Sequence, residues 1–159
     1  MSTRFDPPIS EPAVPFWDAT REKQLTYQWC RSCQRHVWYP REFCPACLGT
    51  DLEWRSASGR GVVYACSTMP KPAHPGMREL VPYVVALVDL PEGPRLMTNV
   101  TGCAPEDVRV GLPVQVTWEA LEDGRHLPLF EPVPVKPMSD PVKPMFDPVK
   151  PKSEPVKEA

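Results

Sequence analysis

The sequence predicts a mainly β protein with a short N-terminal helix, a metal-binding ribbon, a five-stranded barrel and a proline-rich tail. Two cysteine pairs with C-x2-C spacing predict the ribbon. Five short runs of β-branched and apolar residues, bounded by glycine and proline and without helical periodicity, predict the barrel. We therefore divide the chain into residues 1–26, 27–55, 56–131 and 132–159.

The composition argues against several classes of function. A length of 159 residues suits one or two small domains. The net charge of −2 and the pI near 5.9 give no excess of Lys and Arg for binding duplex nucleic acid. No apolar run approaches the roughly 20 residues that span a bilayer, and the N-terminus lacks the apolar stretch of a signal peptide. We therefore expect a cytoplasmic protein with no membrane partner.

A short helix is predicted at residues 15–25, where Pro15 occupies a first-turn position that tolerates proline. Phe16 and Trp17 are too large for such a short, otherwise polar helix to bury alone. Two alternatives remain open, since the rings can dock on this chain or on a partner. Residues 1–14 are polar and proline-rich, and we expect them to be extended.

Four cysteines form a predicted metal site. Two thiolates at C-x2-C spacing can reach one ion from a tight turn, and two such turns supply a closed tetrahedral set. The ten residues between the pairs allow one strand out and one strand back. We expect one structural zinc ion per chain, because four thiolates leave no open position for catalysis. The predicted ligands are Cys30, Cys33, Cys44 and Cys47.

Three alternatives to zinc remain open: two disulfides, iron, or four unrelated thiols. A reducing cytosol argues against disulfides, whereas Cys44-Pro45-Ala46-Cys47 resembles the knuckle of an iron-binding rubredoxin. The other two cysteines, Cys66 and Cys103, lie among apolar residues and are predicted to be small buried side chains. His36 is not needed as a ligand, and we expect it on the surface.

Short strands are predicted around the cysteine pairs, at residues 27–29, 36–40 and 52–54. Aromatic residues are dense here, and a ribbon has almost no core of its own. We expect them to cover the metal ligands, with stacking on nucleic-acid bases as the alternative. They are Trp29, Trp38, Tyr39, Phe43 and Trp54.

The barrel strands are predicted at residues 62–68, 82–90, 95–100, 113–119 and 127–130. Five short strands in about 75 residues suit a small closed barrel such as the OB-fold. Residues 102–111 would connect the third and fourth strands, with one helical turn at 105–108.

One predicted loop, at residues 69–80, is long for a strand connection. It carries Lys71, His74 and Arg78. Long loops on small barrels are often functional, and a solvated excursion is the alternative.

From Pro132 onward the sequence becomes a seven-residue repeat in which Pro-Val-Lys-Pro recurs at 134–137, 141–144 and 148–151. Two prolines per repeat block helix propagation, so this is no coiled coil. We expect a disordered tail with polyproline II character. A solubilising segment, a spacer and a docking ligand are its alternative roles.

The order of these features resembles the DUF35 family, acyl-CoA-associated proteins with a rubredoxin-like zinc ribbon and an OB-fold. The resemblance covers residues 15–131 and leaves out the tail repeats. The cysteine pairs carry it together with Ser58-Gly59-Arg60-Gly61 and Val110-Gly111-Leu112-Pro113-Val114, in that order.

The resemblance implies a non-catalytic subunit of a hetero-oligomer. Members of the family associate with thiolase-like catalytic subunits, including the lipid-transfer-protein type, which make or break carbon–carbon bonds in acyl-CoA thioesters. Thiolases and retro-aldolases of steroid side chains are examples. The OB domain helps bind the acyl-CoA, and the partner supplies the catalytic residues.

The residues themselves agree, because the sequence contains no catalytic nucleophile–base pair, glycine-rich phosphate loop or paired carboxylates. Arg60, Lys71 and Arg78 are candidate contacts for the CoA phosphates on charge alone. Two other functions remain alternatives: a zinc-ribbon/OB protein that binds single-stranded nucleic acid, and an electron carrier with iron in the four-thiolate site.

Overall fold

The computed structural model describes residues 6–134, so the predicted disordered tail repeats lie outside the described residues. The described part is mainly β, with one short α-helix, which confirms the predicted fold class. Its elements are a 3-10 helix at Glu11–Ala13, α1 at Val14–Arg21, β1 at Thr26–Cys30, β2 at Arg35–Val37, β3 at Leu52–Ser56, β4 at Arg60–Met69, a 3-10 helix at Pro75–Leu80, β5 at Tyr83–Asp89, β6 at Arg95–Val100, a 3-10 helix at Pro105–Asp107, β7 at Pro113–Ala120 and β8 at His126–Pro132.

The ribbon is a three-stranded antiparallel sheet in the order β2-β1-β3. Cys30, the last residue of β1, pairs with Arg35 of β2 and with Leu52 of β3. The first cysteine pair therefore occupies the turn that joins β1 to β2.

Strands β4 to β8 form a closed barrel in the order β4-β5-β6-β8-β7. A bulge between Val63 and Ala65 lets β4 pair with β7 at its start and with β5 along its length. The barrel is completed by one parallel bridge, between Val100 of β6 and Phe130 of β8. This bridge is a seam, since β6 and β8 share no other paired residues among those described.

The barrel interior is filled by alternate residues of its strands. In β5 the inward positions Val84, Ala86 and Val88 are buried, as the period of two requires. They pack with Val114 and Phe130, both fully buried. Full burial of one such branched or aromatic side chain contributes about 1.5–3 kcal/mol.

Helix α1 docks on the barrel. Phe16 is only 6% exposed and belongs to the core cluster, and Trp17 packs against that cluster. The Phe16 ring meets Trp17 and Trp38 edge to face, with centroid distances of 5.1 and 5.5 Å. Of the two alternatives for these rings, docking on this chain is therefore confirmed, and Phe16 is not available to a partner.

The predicted helix was too long. Helix α1 ends at Arg21, because Lys23 takes a left-handed conformation (φ 55°) that turns the chain toward the buried Leu25. Residues 11–13 form a 3-10 turn rather than an extended segment. Strand β2 stops at Val37, short of the predicted residue 40, and the predicted 69–80 loop contains the 3-10 helix Pro75–Leu80.

Arg125, which the sequence does not single out, fastens the N-terminal segment to the β7–β8 turn. Its side chain is 4% exposed. It donates to Asp123 Oδ2 at 2.5 Å and to the Pro7 carbonyl at 3.0 Å, and its guanidinium lies 4.7 Å from the centroid of the Trp17 ring. Within residues 6–134, no helix is both long and apolar enough to cross a membrane.

Candidate functional site

The structure brings all four predicted metal ligands together. The sulfurs of Cys30, Cys33, Cys44 and Cys47 lie within 4.8 Å of one another, with Cys30 Sγ–Cys47 Sγ at 3.6 Å and Cys33 Sγ–Cys44 Sγ at 3.5 Å. Zinc–sulfur bonds of about 2.3 Å place the sulfurs of a tetrahedral site about 3.8 Å apart. The cradle therefore has nearly the size that zinc requires. All four cysteines are free, which argues against the disulfide alternative.

Both cysteine pairs form the same kind of turn. The residue after each second cysteine is left-handed, Gln34 at φ 55° and Leu48 at φ 61°. Its backbone N–H donates to the carbonyl of the first cysteine, Cys30 at 2.9 Å and Cys44 at 2.8 Å. The Ala46 N–H points to Cys44 Sγ at 3.4 Å. Amides directed at sulfur stabilise the thiolate form, which is the form that binds metal.

The four thiols shift one another's pKa values because they lie so close together. Burial opposes ionisation of Cys44, but the N–H groups of Ala46 and Cys47 outweigh it and lower the pKa of Cys44 to about 7. Burial and the neighbouring sulfurs raise the pKa of Cys33 to about 12. Four adjacent thiols cannot all ionise without a cation to balance them, so the donor set fits a bound divalent metal.

The side chains that cover the metal ligands are not the aromatic ones that the sequence predicts. Cys30 and Cys44 are fully buried and cluster with Val37 and Leu52, not with the ribbon aromatics. Trp38 and Trp54 pack instead against the barrel core. The aliphatic pair shields the sulfurs, and the two indoles join the ribbon to the barrel.

The other predicted residues have plainer roles. His36 is exposed, as expected, and its ring packs against the turn at Gly93. Cys66 and Cys103 are only partly buried, although both pack against the core. Cys66 Sγ donates to the Val108 carbonyl at 3.6 Å. Burial, with a smaller effect of Asp107, raises the pKa of the Cys103 thiol.

The three candidate CoA contacts do not converge. Arg60 is the first residue of β4, whereas Lys71 follows the end of that strand and Arg78 lies in the 3-10 helix Pro75–Leu80. All three are exposed. Ten strand residues at about 3.3 Å each separate the two ends of β4 by roughly 30 Å. Lys71 and Arg78 therefore share one end of the barrel, and Arg60 lies at the other.

Two domain families match the chain. Residues 17–53 match the family described as "ChsH2, rubredoxin-like zinc ribbon domain". Residues 54–119 match "ChsH2, C-terminal OB-fold domain". The two matches are consecutive and together contain all four cysteines of the ribbon.

Curated relatives fall into two groups. The chain is 38% identical over 118 residues to a "Probable enoyl-CoA hydratase alpha subunit" of Thermomonospora curvata, covering 74% of this chain and 36% of that protein. It is 30% identical over 118 residues to the "3-oxo-4,17-pregnadiene-20-carboxyl-CoA hydratase alpha subunit" of Mycobacterium tuberculosis, covering 70% and 35%. This chain thus spans about a third of each hydratase subunit. It is 35% identical over 97 residues to a "DUF35 domain-containing scaffold protein" of Methanocaldococcus jannaschii, covering 60% and 68%.

Solved structures agree with these relationships. A chain of the "Ltp2-ChsH2(DUF35) aldolase" matches with a TM-score of 0.72 and 35% identity, over 80% of this chain and 98% of that one. A DUF35 protein of unknown function from Sulfolobus solfataricus has the same fold, with a TM-score of 0.56 and 15% identity over 78% of this chain and 87% of that one. The sequence, the ribbon and the barrel lead to one conclusion: this chain belongs to the DUF35 family.

Proposed function

We propose that the protein is a non-catalytic, zinc-binding subunit that assembles with a thiolase-fold partner and helps bind an acyl-CoA substrate. The reaction would cleave or form a carbon–carbon bond, as a thiolase or an aldolase does. The observation that carries the proposal is the match to the ChsH2(DUF35) chain of an aldolase named with a second component, Ltp2. That chain is covered over 98% of its length at 35% identity.

The names of the hydratase relatives support the substrate class, because both refer to acyl-CoA thioesters and one to a steroid acyl group. The four-sulfur site supports the absence of a catalytic metal. Residues Cys30, Cys33, Cys44 and Cys47 would hold zinc in a closed set, so the ion would stabilise the ribbon and leave no position for substrate. The catalytic groups would then come from the partner.

Charge supports a contact between Lys71, Arg78 and the CoA phosphates, since both cations are exposed at the same end of the barrel. Arg60, at the far end of β4, would need a different phosphate or a partner carboxylate. Cation–phosphate pairs at a surface are weakened by salt, so this part of the affinity should fall as ionic strength rises.

Titration calorimetry of the complex with acyl-CoA tests the proposal. We expect the Lys71→Ala/Arg78→Ala double variant to bind about tenfold more weakly, the equivalent of roughly 1.4 kcal/mol. Arg35→Ala, which removes an exposed cation from the ribbon strand β2, serves as the control and should leave affinity unchanged. Equal affinities for the double variant and the wild type would remove these two residues from the site. A complex that binds no acyl-CoA would reject the proposed function.

A further inference from the structure

An apolar cleft of about 690 Å³ opens between β6 and β8. Among the described residues these strands pair only at the Val100–Phe130 bridge, and residues 96–99 and 127–129 line the gap before it. Thr98 Oγ1 crosses the gap and donates to the Pro128 carbonyl at 3.0 Å, which sets the distance between the two strands. The cleft is therefore a fixed feature of the barrel.

The lining of the cleft is aromatic and uncharged. Trp17 of α1, Trp38 and Tyr39 after β2, and Met97 of β6 form much of it, and no lining residue among those described carries a charge. Tyr39 and Met97 remain 49% and 64% exposed. A contiguous apolar surface of this kind indicates an occupant that buries it.

The cleft also offers a hydrogen-bond donor. Trp38 Nε1 is buried without an acceptor within residues 6–134, and an indole N–H can only donate. A polyproline II segment suits such a surface, because its backbone makes no internal hydrogen bonds and leaves every carbonyl free, while each proline lacks an N–H. Aromatic-lined grooves recognise polyproline II segments in this way.

This chain contains segments of that type after β8, where Pro-Val-Lys-Pro recurs three times. With three residues per turn, the valine of each copy shares a face with the residue three positions later. In the second copy this face carries Val142 and Met145, which are both apolar. In the third copy it carries Val149 and Lys152, and the lysine would place a charge against an uncharged lining.

The length of the chain selects the same copy. Residues 135–159 lie outside the described part, which ends two residues after β8. Six strand residues at about 3.3 Å separate residue 134 from the lining residue Pro128 by roughly 20 Å. Seven polyproline II residues at about 3.1 Å span roughly 22 Å. The copy that begins at Pro141 is therefore the first that can return to the cleft.

Charges around the cleft complement this segment. Asp6, Glu11 and Arg41 are exposed, and each adjoins a lining residue in the sequence. The segment carries Lys143 and Asp147, four residues apart, which is about 12 Å in polyproline II geometry. Both signs of charge are thus available on each side, outside the apolar lining.

We propose that residues 141–147 dock in this cleft of their own chain as a polyproline II segment. Val142 and Met145 face the aromatic lining, and a backbone carbonyl of the segment accepts from Trp38 Nε1–H. The docked segment excludes other molecules from the cleft until it is displaced. This inference does not depend on the proposed function.

Nuclear magnetic resonance of the ¹⁵N-labelled full chain tests the docking. The chain has five tryptophans, of which Trp17 and Trp38 line the cleft, so the other three indole signals are internal references. We expect Val142→Glu/Met145→Glu to shift both cleft signals and to move the Trp38 indole proton upfield as its hydrogen bond is lost. The matched control is Val149→Glu/Ser153→Glu, which introduces the same two carboxylates one repeat later and should leave all five signals in place. Unchanged cleft signals in the first variant, or equal shifts in both variants, would overturn the inference.

A competition experiment measures the occupancy. A short linker gives the segment an effective concentration of order 1 mM, so an affinity of about 0.1 mM would keep the cleft about 90% occupied. A synthetic peptide with the sequence of residues 140–148 should therefore bind Val142→Glu/Met145→Glu about tenfold more tightly than it binds the wild type. Equal affinities, or no binding to that variant, would contradict the docking. The wild-type signals should not change on tenfold dilution, and a shift would mean that the segment docks in a second copy instead.

Discussion

At the scale of single residues, Arg125 shows how a buried charge can organise a terminus. Its guanidinium is compensated by the Asp123 carboxylate, the Pro7 carbonyl and the face of Trp17. A buried cation without such partners would be strongly unfavourable. The arrangement therefore depends on all three contacts and holds the segment before α1 against the β7–β8 turn.

Replacing Arg125 with Met should destabilise the protein by about 2–3 kcal/mol, because the hydrogen bonds are lost and the Pro7 and Asp123 acceptors lose their donor. Urea unfolding measures the change. Arg31→Met is the matched control, since Arg31 pairs with Asp51 at 2.8 Å on the surface and should cost less than about 1 kcal/mol. Similar losses in both variants would show that the burial of Arg125 is not what matters.

Asp123 gives a prediction about pH. The backbone N–H and guanidinium of Arg125 hold the pKa of the Asp123 carboxyl below its ordinary value. A carboxyl with a depressed folded-state pKa stabilises the fold above its unfolded pKa of about 3.9, and this contribution is lost as pH falls through the folded value. The stability difference between wild type and Asp123→Asn should thus be present at pH 7 and shrink below about pH 4. If the stability difference between the two proteins stayed constant across this pH range, the assignment would be contradicted.

At the scale of elements, the ribbon and the barrel meet at a close contact. Gly93, in the turn between β5 and β6, has φ 111°, and a Cβ built there would lie 2.5 Å from Nδ1 of His36. Only glycine allows the turn to approach the ribbon this closely. Trp38 and Trp54 add apolar contacts between the same two units.

Gly93→Ala should therefore destabilise the protein by more than backbone strain alone would. Gly111→Ala provides the comparison, because Gly111 also has a positive φ (84°) but nothing within 4 Å of its Cβ. We expect about 1–2 kcal/mol for Gly111→Ala and at least about 1 kcal/mol more for Gly93→Ala. Adding His36→Ala should recover the excess if the collision causes it. If the double variant were no more stable than Gly93→Ala, the excess destabilisation would not come from the collision with His36.

The sequence predicts local features well and non-local ones poorly. The metal ligands follow from spacing, because a tetrahedral ion imposes it, and the barrel strands follow from β-branched runs between glycines and prolines. The direction in which Trp38 and Trp54 point depends on a distant surface, so the expected cover over the sulfurs was wrong. The sequence does not single out Arg125, because its partners at Pro7 and Trp17 lie more than a hundred positions earlier.

An apolar cleft between β6 and β8 could not be predicted from the sequence. Its walls come from α1, from the segment after β2 and from two barrel strands, and no local pattern marks where β6 and β8 diverge. Met97 could have indicated the cleft, because its position on a strand leaves a large apolar side chain exposed. The site for phosphates, in contrast, was sought by charge alone, and the structure divides those three cations between two ends of the barrel.

At the scale of the whole molecule, the ribbon contributes to the barrel as well as to itself. Trp38 and Tyr39 follow β2 of the ribbon and line an apolar cleft together with residues of β6 and β8. Structural zinc supplies folding free energy to small metal ribbons. Loss of the ion should therefore affect the positions of Trp38 and Tyr39 as well as the four-sulfur site.

Removing the metal with a strong chelator should lower the melting temperature of the protein, because the ion supplies folding free energy to the ribbon, and re-addition of zinc should reverse the change. Differential scanning calorimetry measures the change. Cys66→Ser and Cys103→Ser should respond to the chelator as the wild type does, since neither sulfur belongs to the metal cluster. A metal-free protein with an unchanged melting curve would rule out a structural ion.

The most direct test of the proposed role is capture of the tagged full chain from its native lysate, with mass spectrometry of the bound proteins and metal analysis of the same sample. We predict about one zinc ion per chain, as a closed four-thiolate site requires, together with a thiolase-fold protein in stoichiometric amount. Zinc with no such partner, or with nucleic acid in its place, would contradict the role as a subunit of an acyl-CoA enzyme while leaving the fold intact.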